Sequence, residues 1–287
     1  MSRLDIALKD ASAAAELLRE TAALLREDPA RQGPVLHFGG AGQVVMTGDM
    51  HGNLRNFAKL QKFCDLARSP GRSVILHELI HADTGGGQPD LSIELLIRAV
   101  AWKVEFPDNV FFLQSNHELA QLRGQEITKG GRSVLDDFAS GTRQIYGSGT
   151  EDVLAATNEY IAALPLAART ANGVFLAHSL PDPSWDFDFS VLEREPDARD
   201  LAPGGAAYSL VWGRFHSAGD VERFADQLGV RLCVVGHTPQ EDGYTVVGRL
   251  MIIASDHNHG VFLPIDLSRS YTMDELEPCV RKFVGVA

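Results

Sequence analysis

The strongest constraint on the fold is an apolar segment that runs directly into metal-binding side chains. Residues 44–46, Val-Val-Met, are typical of a buried strand, and glycine-flanked Asp49 and His51 follow. Side chains two residues apart on extended backbone point the same way. A carboxylate and an imidazole together suit manganese, iron or zinc. Taken alone, the segment also fits a turn in which Asp49 caps the next helix.

The same arrangement recurs at the next two predicted strands. Residues 73–76 lead into Glu78, and residues 110–113 lead into Asn116. In open α/β sheets, ligand sites lie beyond the carboxyl ends of the strands. Three successive strand ends with ligand-type side chains therefore favour a metal site over a simple helix cap at Asp49.

Helical and extended segments alternate in the way that predicts an α/β fold with a mostly parallel sheet. Helices are predicted at 4–26, 53–67, 91–102 and 221–228, and residues 119–163 are expected to be mostly helical. Further strands are predicted at 35–38, 43–47, 174–177, 232–235, 244–247, 250–254 and 260–264. The glycines at 39–42 predict a tight connection between the first two of these strands. The last three are expected to close the fold as antiparallel strands, and 180–208 to form a long irregular segment.

Two later strands end in His178 and His237. With the earlier groups, these side chains could hold two divalent ions that share one carboxylate. A metal pair about 4 Å apart can clamp a phosphate and ionise a bridging water. Of the other histidines, His37, His77 and His216 are expected to be packing or surface residues. His257 and His259 lie in a loop near the expected site, and a role in the site is left open for both.

Composition limits the kinds of partner. The chain has 287 residues and a formal net charge of −12, which disfavours binding to nucleic acid polymers. Its three cysteines are widely spaced and suit a reducing compartment. No apolar stretch is long enough to span a bilayer, and the polar N-terminus lacks the core of a signal peptide. We therefore expect a soluble, cytoplasmic protein with no membrane partner.

The first predicted helix has a narrow apolar stripe that repeats every three or four residues. Such a stripe suits packing on the outside of the domain, and it could also pair with a second copy of the chain. We predict an N-terminal helical extension at 1–34, followed by a catalytic domain at 35–287.

Three short motifs carry a resemblance to a known family. Residues 48–52 (Gly-Asp-Met-His-Gly), 116–118 (Asn-His-Glu) and 236–238 (Gly-His-Thr) resemble signatures of the calcineurin-like metallophosphoesterases. Segments 164–167, 210–212, 241–244 and 255–260 are similar to the serine/threonine phosphoprotein phosphatase branch. The resemblance covers about residues 44–266. It implies a four-layer α/β/β/α sandwich with mixed sheets and two metals at the carboxyl ends of the strands.

The resemblance also implies roles for individual residues. It implies metal ligands at Asp49 and His51 for the first metal, Glu78 as the bridge, and Asn116, His178 and His237 for the second. His117 matches the catalytic imidazole, the implied proton donor to the leaving oxygen. Pro239 stands where other branches place a further histidine ligand, which favours the phosphoprotein phosphatase branch.

The sequence departs from the family around the catalytic imidazole. Glu78 replaces the bridging aspartate and adds one methylene. Without a gap in the alignment, His81 stands in place of the aspartate that orients His117. With a two-residue insertion, Asp83 would supply that aspartate. Both possibilities remain open from the sequence, and Asp83 is a candidate catalytic residue.

Two phosphate-binding arginines of the family are also missing. Ala82 and Gln114 stand where the family has them. Arg214 is the remaining candidate for a phosphate clamp, and an ordinary surface role is equally open to it. Asn116 is expected at the substrate as well as at the metal.

The resulting hypothesis is a dinuclear phosphatase. A hydroxide between two divalent metals, manganese or else iron or zinc, would hydrolyse a phosphomonoester of a small molecule or a phosphoprotein. One alternative is a phosphoesterase acting on a dinucleoside polyphosphate or a cyclic nucleotide. Another is a non-catalytic metal-binding module.

Overall fold

A computed structural model describes residues 2–85 and 88–286. Gly86 and Gly87, in the glycine-rich segment after the second predicted strand of the site, lie outside the described residues, as do Met1 and Ala287. The strands are β1 Arg31–Gln32, β2 Val35–Phe38, β3 Gln43–Thr47, β4 Arg72–Leu76, β5 Val110–Phe112, β6 Thr128–Lys129, β7 Arg132–Ser133, β8 Ala167–Thr170, β9 Val174–Ala177, β10 Leu232–Val235, β11 Tyr244–Val247, β12 Leu250–Ile253, β13 Val261–Asp266 and β14 Arg281–Lys282. The α-helices are α1 Arg3–Ala7, α2 Ala11–Arg26, α3 Leu54–Cys64, α4 Ile93–Glu105, α5 Asn116–Arg123, α6 Val134–Tyr146, α7 Thr150–Ile161, α8 Ala206–Trp212, α9 Ala218–Leu228 and α10 Met273–Leu276. Short 3₁₀ helices span Gly147–Gly149, Phe189–Leu192, Glu277–Cys279 and Phe283–Gly285.

Two mixed sheets form the centre of the fold. The larger has the strand order β1-β2-β8-β9-β10-β12-β11, and the smaller has the order β14-β13-β3-β4-β5. Within the smaller sheet, β3, β4 and β5 run parallel, while β13 runs antiparallel to β3. In the larger sheet, β9, β10 and β12 run parallel. The β6–β7 hairpin stands apart as its own two-stranded sheet.

Alternation along the strands sorts their apolar side chains into separate layers. Val44 and Met46 of β3 pack between the two sheets, against Leu176 and Val234 of the larger sheet. Val45, between them in sequence, faces the other way into a core formed with α2, α3, α4, α6 and α7. The outer face of the larger sheet packs on α8, α9 and the 3₁₀ turn at residues 189–192. The layers are helix, sheet, sheet and helix, which confirms the predicted four-layer sandwich.

The connection at residues 39–42 is as short as predicted, but it joins strands of different sheets. Strand β2 pairs with β1 and β8, whereas β3 pairs with β4 and β13 in the other sheet. The four residues cross from one sheet to the other, and Leu36 and Val44 then share the core between the sheets. Likewise, β13 does not pair with β12 as a closing strand, because it joins the smaller sheet.

The predicted helix at 4–26 is two helices. Asp10 has extended backbone and its side chain accepts a hydrogen bond from the Ala13 N–H, 2.8 Å away, so it starts a new helix. The buried face of α2, with Leu17, Leu18 and Leu25 among its members, packs in the same core as α4 and α7. A second copy of the chain would have to pack on the opposite, exposed face.

The carboxyl ends of β3, β4 and β5 in the smaller sheet and of β9, β10 and β12 in the larger sheet meet at one end of the sandwich. An isolated bridge between Asp49 and Ala254 links the end of β3 to the end of β12, so the two sheets touch there. Over the residues described, no helix is both long enough and apolar enough to cross a membrane.

Candidate metal centre

Unusual backbone conformations bring the strand-end side chains together. His51, Glu78, His81 and His237 have φ values of 40°, 52°, 61° and 65°, the left-handed region that side chains other than glycine rarely adopt. Among the described non-glycine residues with positive φ, only Asp65, at a helix end, lies elsewhere. Backbone strain of this kind persists where surrounding contacts hold it, commonly at functional sites. Here the N–H groups of residues 50 and 51 both donate to the Glu78 carbonyl, at 2.9 and 2.8 Å.

The first group of ligand-type atoms comprises Asp49 Oδ1, His77 Nδ1 and His178 Nδ1. The two nitrogens lie 2.9 Å apart, and Asp49 Oδ1 lies 3.7 Å from the first and 3.6 Å from the second. His77 Nε2 is 2.8 Å from the Thr47 carbonyl, which can only accept, so the His77 proton is on Nε2. His178 Nε2 donates to Asn116 Oδ1 at 2.7 Å. Both Nδ1 atoms are therefore unprotonated and face the same point.

The second group comprises His51 Nε2, Glu78 Oε1 and His117 Nε2. The two nitrogens lie 3.8 and 3.7 Å from the carboxylate oxygen. His51 Nδ1 donates to the Ile80 carbonyl at 3.1 Å, which leaves its Nε2 unprotonated. Metal-binding histidines characteristically donate their second ring N–H to a carbonyl or carboxylate in this way.

A chain of two hydrogen bonds sets the tautomer of His117. His81 Nε2 donates to Gln121 Oε1 at 3.0 Å, so His81 Nδ1 must accept. His117 Nδ1 lies 3.0 Å from His81 Nδ1 and donates to it, which leaves His117 Nε2 unprotonated. Asp83 is exposed, and its carboxylate accepts a hydrogen bond from the Gly85 N–H. Of the two residues that the sequence left open, His81 is the one in contact with His117.

Each group combines a largely buried carboxylate with two imidazoles that carry no positive charge. Glu78 is 1% exposed, and neither of its carboxylate oxygens has a hydrogen-bond partner among the described residues. Burial, then Glu118 and Asp49, raise its pKa well above the usual range. Burial likewise raises the pKa of Asp49 to about 7 and lowers that of His51 to about 3. An unpaired buried carboxylate is costly, and a divalent cation would supply its missing partner. The donor set fits two such ions.

The backbone directly after β10 leaves space for the first group. A Cβ on Gly236 would lie 2.4 Å from Asp49 Oδ1 and 2.6 Å from His77 Cε1, too close for any side chain. The next residue, His237, donates its backbone N–H to Asp49 Oδ1 at 2.9 Å. Glycine at this position is therefore needed for the carboxylate and the imidazole to approach each other.

Comparison with known proteins identifies the family of the chain and relatives of its fold. The family model of calcineurin-like phosphoesterases matches residues 42–241. The chain belongs to the calcineurin-like phosphoesterase family. A protein serine/threonine phosphatase from Saccharomyces cerevisiae, described as similar to human phosphatase PP5, has the same fold with a TM-score of 0.70 and 15% identity, over 93% of this chain and 86% of that one. A cold-active protein-tyrosine phosphatase from a psychrophilic Shewanella species aligns with a TM-score of 0.55 and 15% identity, over 81% and 77%.

The remaining predicted residues of this calcineurin-like phosphoesterase surround the first group. His237 Nδ1 lies 3.0 Å from Asn116 Oδ1 and 3.1 Å from His178 Nε2. Arg214 Nε donates to His237 Nε2 at 2.9 Å, although the Arg214 side chain is otherwise exposed. His237 belongs to neither group of three in the described part of the chain, and the assignment of Asn116 and His237 as ligands stays a prediction.

Sequence reasoning missed two residues of this phosphoesterase site. His77, expected to be a packing or surface residue, is buried in the first group; the signal was its position directly before Glu78. Glu118 is buried, and its Oε1 accepts from the Leu79 N–H at 2.7 Å while Ser115 Oγ donates to its Oε2. It fixes the loop that carries Glu78, and the signal was its place directly after the Asn-His pair.

Proposed function

We propose that this calcineurin-like phosphoesterase is a dinuclear, metal-dependent phosphatase that hydrolyses phosphomonoesters. The observation that supports this most strongly is that one ring nitrogen of each histidine in the two groups lies within hydrogen-bond distance of an acceptor outside its group. Backbone carbonyls and neighbouring side chains hold the protons of four histidines on the nitrogens that face away. Each group therefore presents two imidazole lone pairs and one carboxylate oxygen to a single point.

In this proposal, Asp49, His77 and His178 hold one metal, and His51, Glu78 and His117 hold the other. Divalent metals bound there would neutralise the phosphate charge and acidify a coordinated water. The carboxylate of each donor set suits manganese, which we expect, and the two imidazoles suit iron or zinc, which are the alternatives. The ligand role of His117 replaces proton donation as the function that we favour, because its Nε2 carries no proton and its buried ring is neutral.

The other polar residues of the site would orient the substrate. Arg214 is placed by its contact with His237 and has further N–H groups available for a phosphate oxygen. Asn116 joins His178 and His237 and would fix their rings. The two structural relatives are named as serine/threonine and tyrosine phosphatases, so we propose phosphorylated protein side chains or comparable small phosphomonoesters as substrates. The reduced cysteines support a cytoplasmic location.

A substrate panel tests the proposal. Manganese-loaded protein would be assayed for phosphate release from p-nitrophenyl phosphate, phosphoserine and phosphotyrosine peptides, a dinucleoside polyphosphate and a cyclic nucleotide. We expect turnover of the monoesters, abolished by His77→Gln and retained by His37→Gln, because His37 lies exposed on β2. Turnover of the nucleotides alone would assign the alternative activity. Absence of any turnover with full metal content would leave a metal-binding module.

A further inference from the structure

Neither of the two positions at which the family has a phosphate-binding arginine, Ala82 and Gln114, carries a positively charged side chain in this protein. Ala82 has no polar side chain. Gln114 is buried and fully used within the fold, because its Nε2 donates to the Ile161 carbonyl at 3.2 Å and its Oε1 accepts from the Ser115 N–H at 3.1 Å. Arg214 supplies one cation, beside the first group. A phosphate bound across both groups would gain a charge-assisted hydrogen bond from a second cation near the second group.

The β6–β7 hairpin brings a lysine to that side of the site. Lys129 is the last residue of β6, before a Gly130-Gly131 turn with φ values of 58° and 80°. Its half-buried side chain lines a cavity of about 320 Å³. Ala82, the position of one missing arginine, lines the same cavity. The hairpin thus places a cation next to the space that the arginine side chain would have occupied.

The cavity that Lys129 lines borders the second group through Ala82. Ala82 directly follows His81, whose Nδ1 lies 3.0 Å from His117 Nδ1. It also lies close to Gly52, the neighbour of His51 in sequence, because a Cβ on Gly52 would lie 3.1 Å from the Ala82 Cβ. Lys129 therefore lies on the side of the site that carries His51 and His117.

Of the two cationic side chains that line this cavity, Lys129 is the one whose charge is not already paired with a carboxylate of the described residues. Arg132, on the same hairpin, forms an ion pair with Asp137 at 2.5 Å. Lys129 has no ion pair or side-chain hydrogen bond within residues 2–85 and 88–286. The other acidic groups of the cavity are Asp83, which accepts from Gly85, and Asp90, which accepts from Ser92. Neither pairs with Lys129 in this arrangement.

We propose that Lys129 is a substrate-positioning residue, whose ammonium binds a non-reacting phosphate oxygen on the Ala82 side of the site. Arg214 and Lys129 would then hold the phosphate from the sides of the first and second groups respectively. The inference rests on the proposed phosphatase function.

Phosphate binding provides the direct test. Inorganic phosphate would be titrated calorimetrically into manganese-loaded wild type, Lys129→Ala, Lys129→Arg and Lys62→Ala, with metal content measured in each. Lys62 is exposed on α3 and is the matched control for loss of one lysine. We expect Lys129→Ala to raise the Kd for phosphate about tenfold, as for loss of a charge-assisted contact. Lys129→Arg should restore most of the affinity, Lys62→Ala should match wild type, and all four should keep their metal.

Turnover of p-nitrophenyl phosphate by the same proteins separates the two proposals. Lys129→Ala should raise KM about tenfold and change kcat little, because the contact is present before and during reaction. Unchanged Kd and KM in Lys129→Ala would overturn the inference while leaving the phosphatase intact. Phosphate binding that depends on Lys129 without any turnover would overturn the phosphatase and keep the anion clamp. Wild type that binds no phosphate would overturn the clamp.

Discussion

Replacing Asp49 with asparagine tests two effects of this carboxylate. Its ionisation lowers the free energy of unfolding of the metal-free protein, whereas its role as a ligand should stabilise the metal-bound protein. Asp49 is 14% exposed at its side chain, and burial raises its pKa from 3.8 to about 7. The folded state therefore prefers the protonated form more strongly than the unfolded state does. The stabilising contribution of this group is complete below pH 3.8 and is lost as the pH rises to about 7.

The pKa shift sets the size of the effect. At 1.36 kcal/mol for each pKa unit, ionisation of Asp49 costs the metal-free fold about 2 kcal/mol at pH 5 and about 4 kcal/mol at pH 7. Asparagine carries no charge and keeps the oxygen that accepts from His237. The stability of Asp49→Asn relative to wild type should therefore increase by about 2 kcal/mol between pH 5 and pH 7.

Urea unfolding in EDTA at the two pH values measures this difference. Asp108→Asn is the control, because Asp108 is an exposed carboxylate outside the site. Added manganese should reverse the order, stabilising wild type far more than Asp49→Asn, because a ligand that binds only the folded state stabilises it. A difference between Asp49→Asn and wild type that does not change with pH would refute the assignment of Asp49 as a costly buried charge.

Three further substitutions test other parts of the account. His117→Asn should lose bound metal; retained metal, with a larger loss of kcat for phosphoserine esters than for p-nitrophenyl phosphate, would instead establish proton donation by His117. Arg214→Ala should raise KM for phosphomonoesters about tenfold, since a charge-assisted contact is worth roughly 1.5 to 3 kcal/mol, and unchanged kinetics would make it a surface arginine. Gly236→Ala should lower metal content in a folded protein, because its Cβ would lie 2.4 Å from Asp49 Oδ1; normal metal content would show that the first group tolerates displacement.

The strand ends of the site could be predicted from the sequence because alternation and ligand chemistry are local signals. Asp49 and His178 follow short apolar segments that are typical of buried strands. Alternation fails for His77 and Glu78. On regular strand backbone, adjacent side chains point to opposite faces. The φ of 52° at Glu78 turns the chain so that both reach the site, and no sequence pattern announces this turn.

The pairing of strands distant in sequence could not be predicted from the sequence either. The sequence at 35–47 is locally that of a hairpin, and only packing of the two sheets decides that β2 and β3 separate. The choice between His81 and Asp83 also depended on tertiary structure, because the loop after Glu78 could place either beside His117. The helix break at Asp10 was a weaker local signal, since aspartate is tolerated within helices but favoured at their starts.

Anomalous X-ray diffraction at the manganese edge, from crystals grown with manganese, tests the central claim most directly. We expect two anomalous peaks per chain. One should lie among Asp49, His77 and His178, and the other among His51, Glu78 and His117. A single peak, or a peak pair that leaves His77 and His117 uncoordinated, would contradict the assignment of the two groups as metal sites.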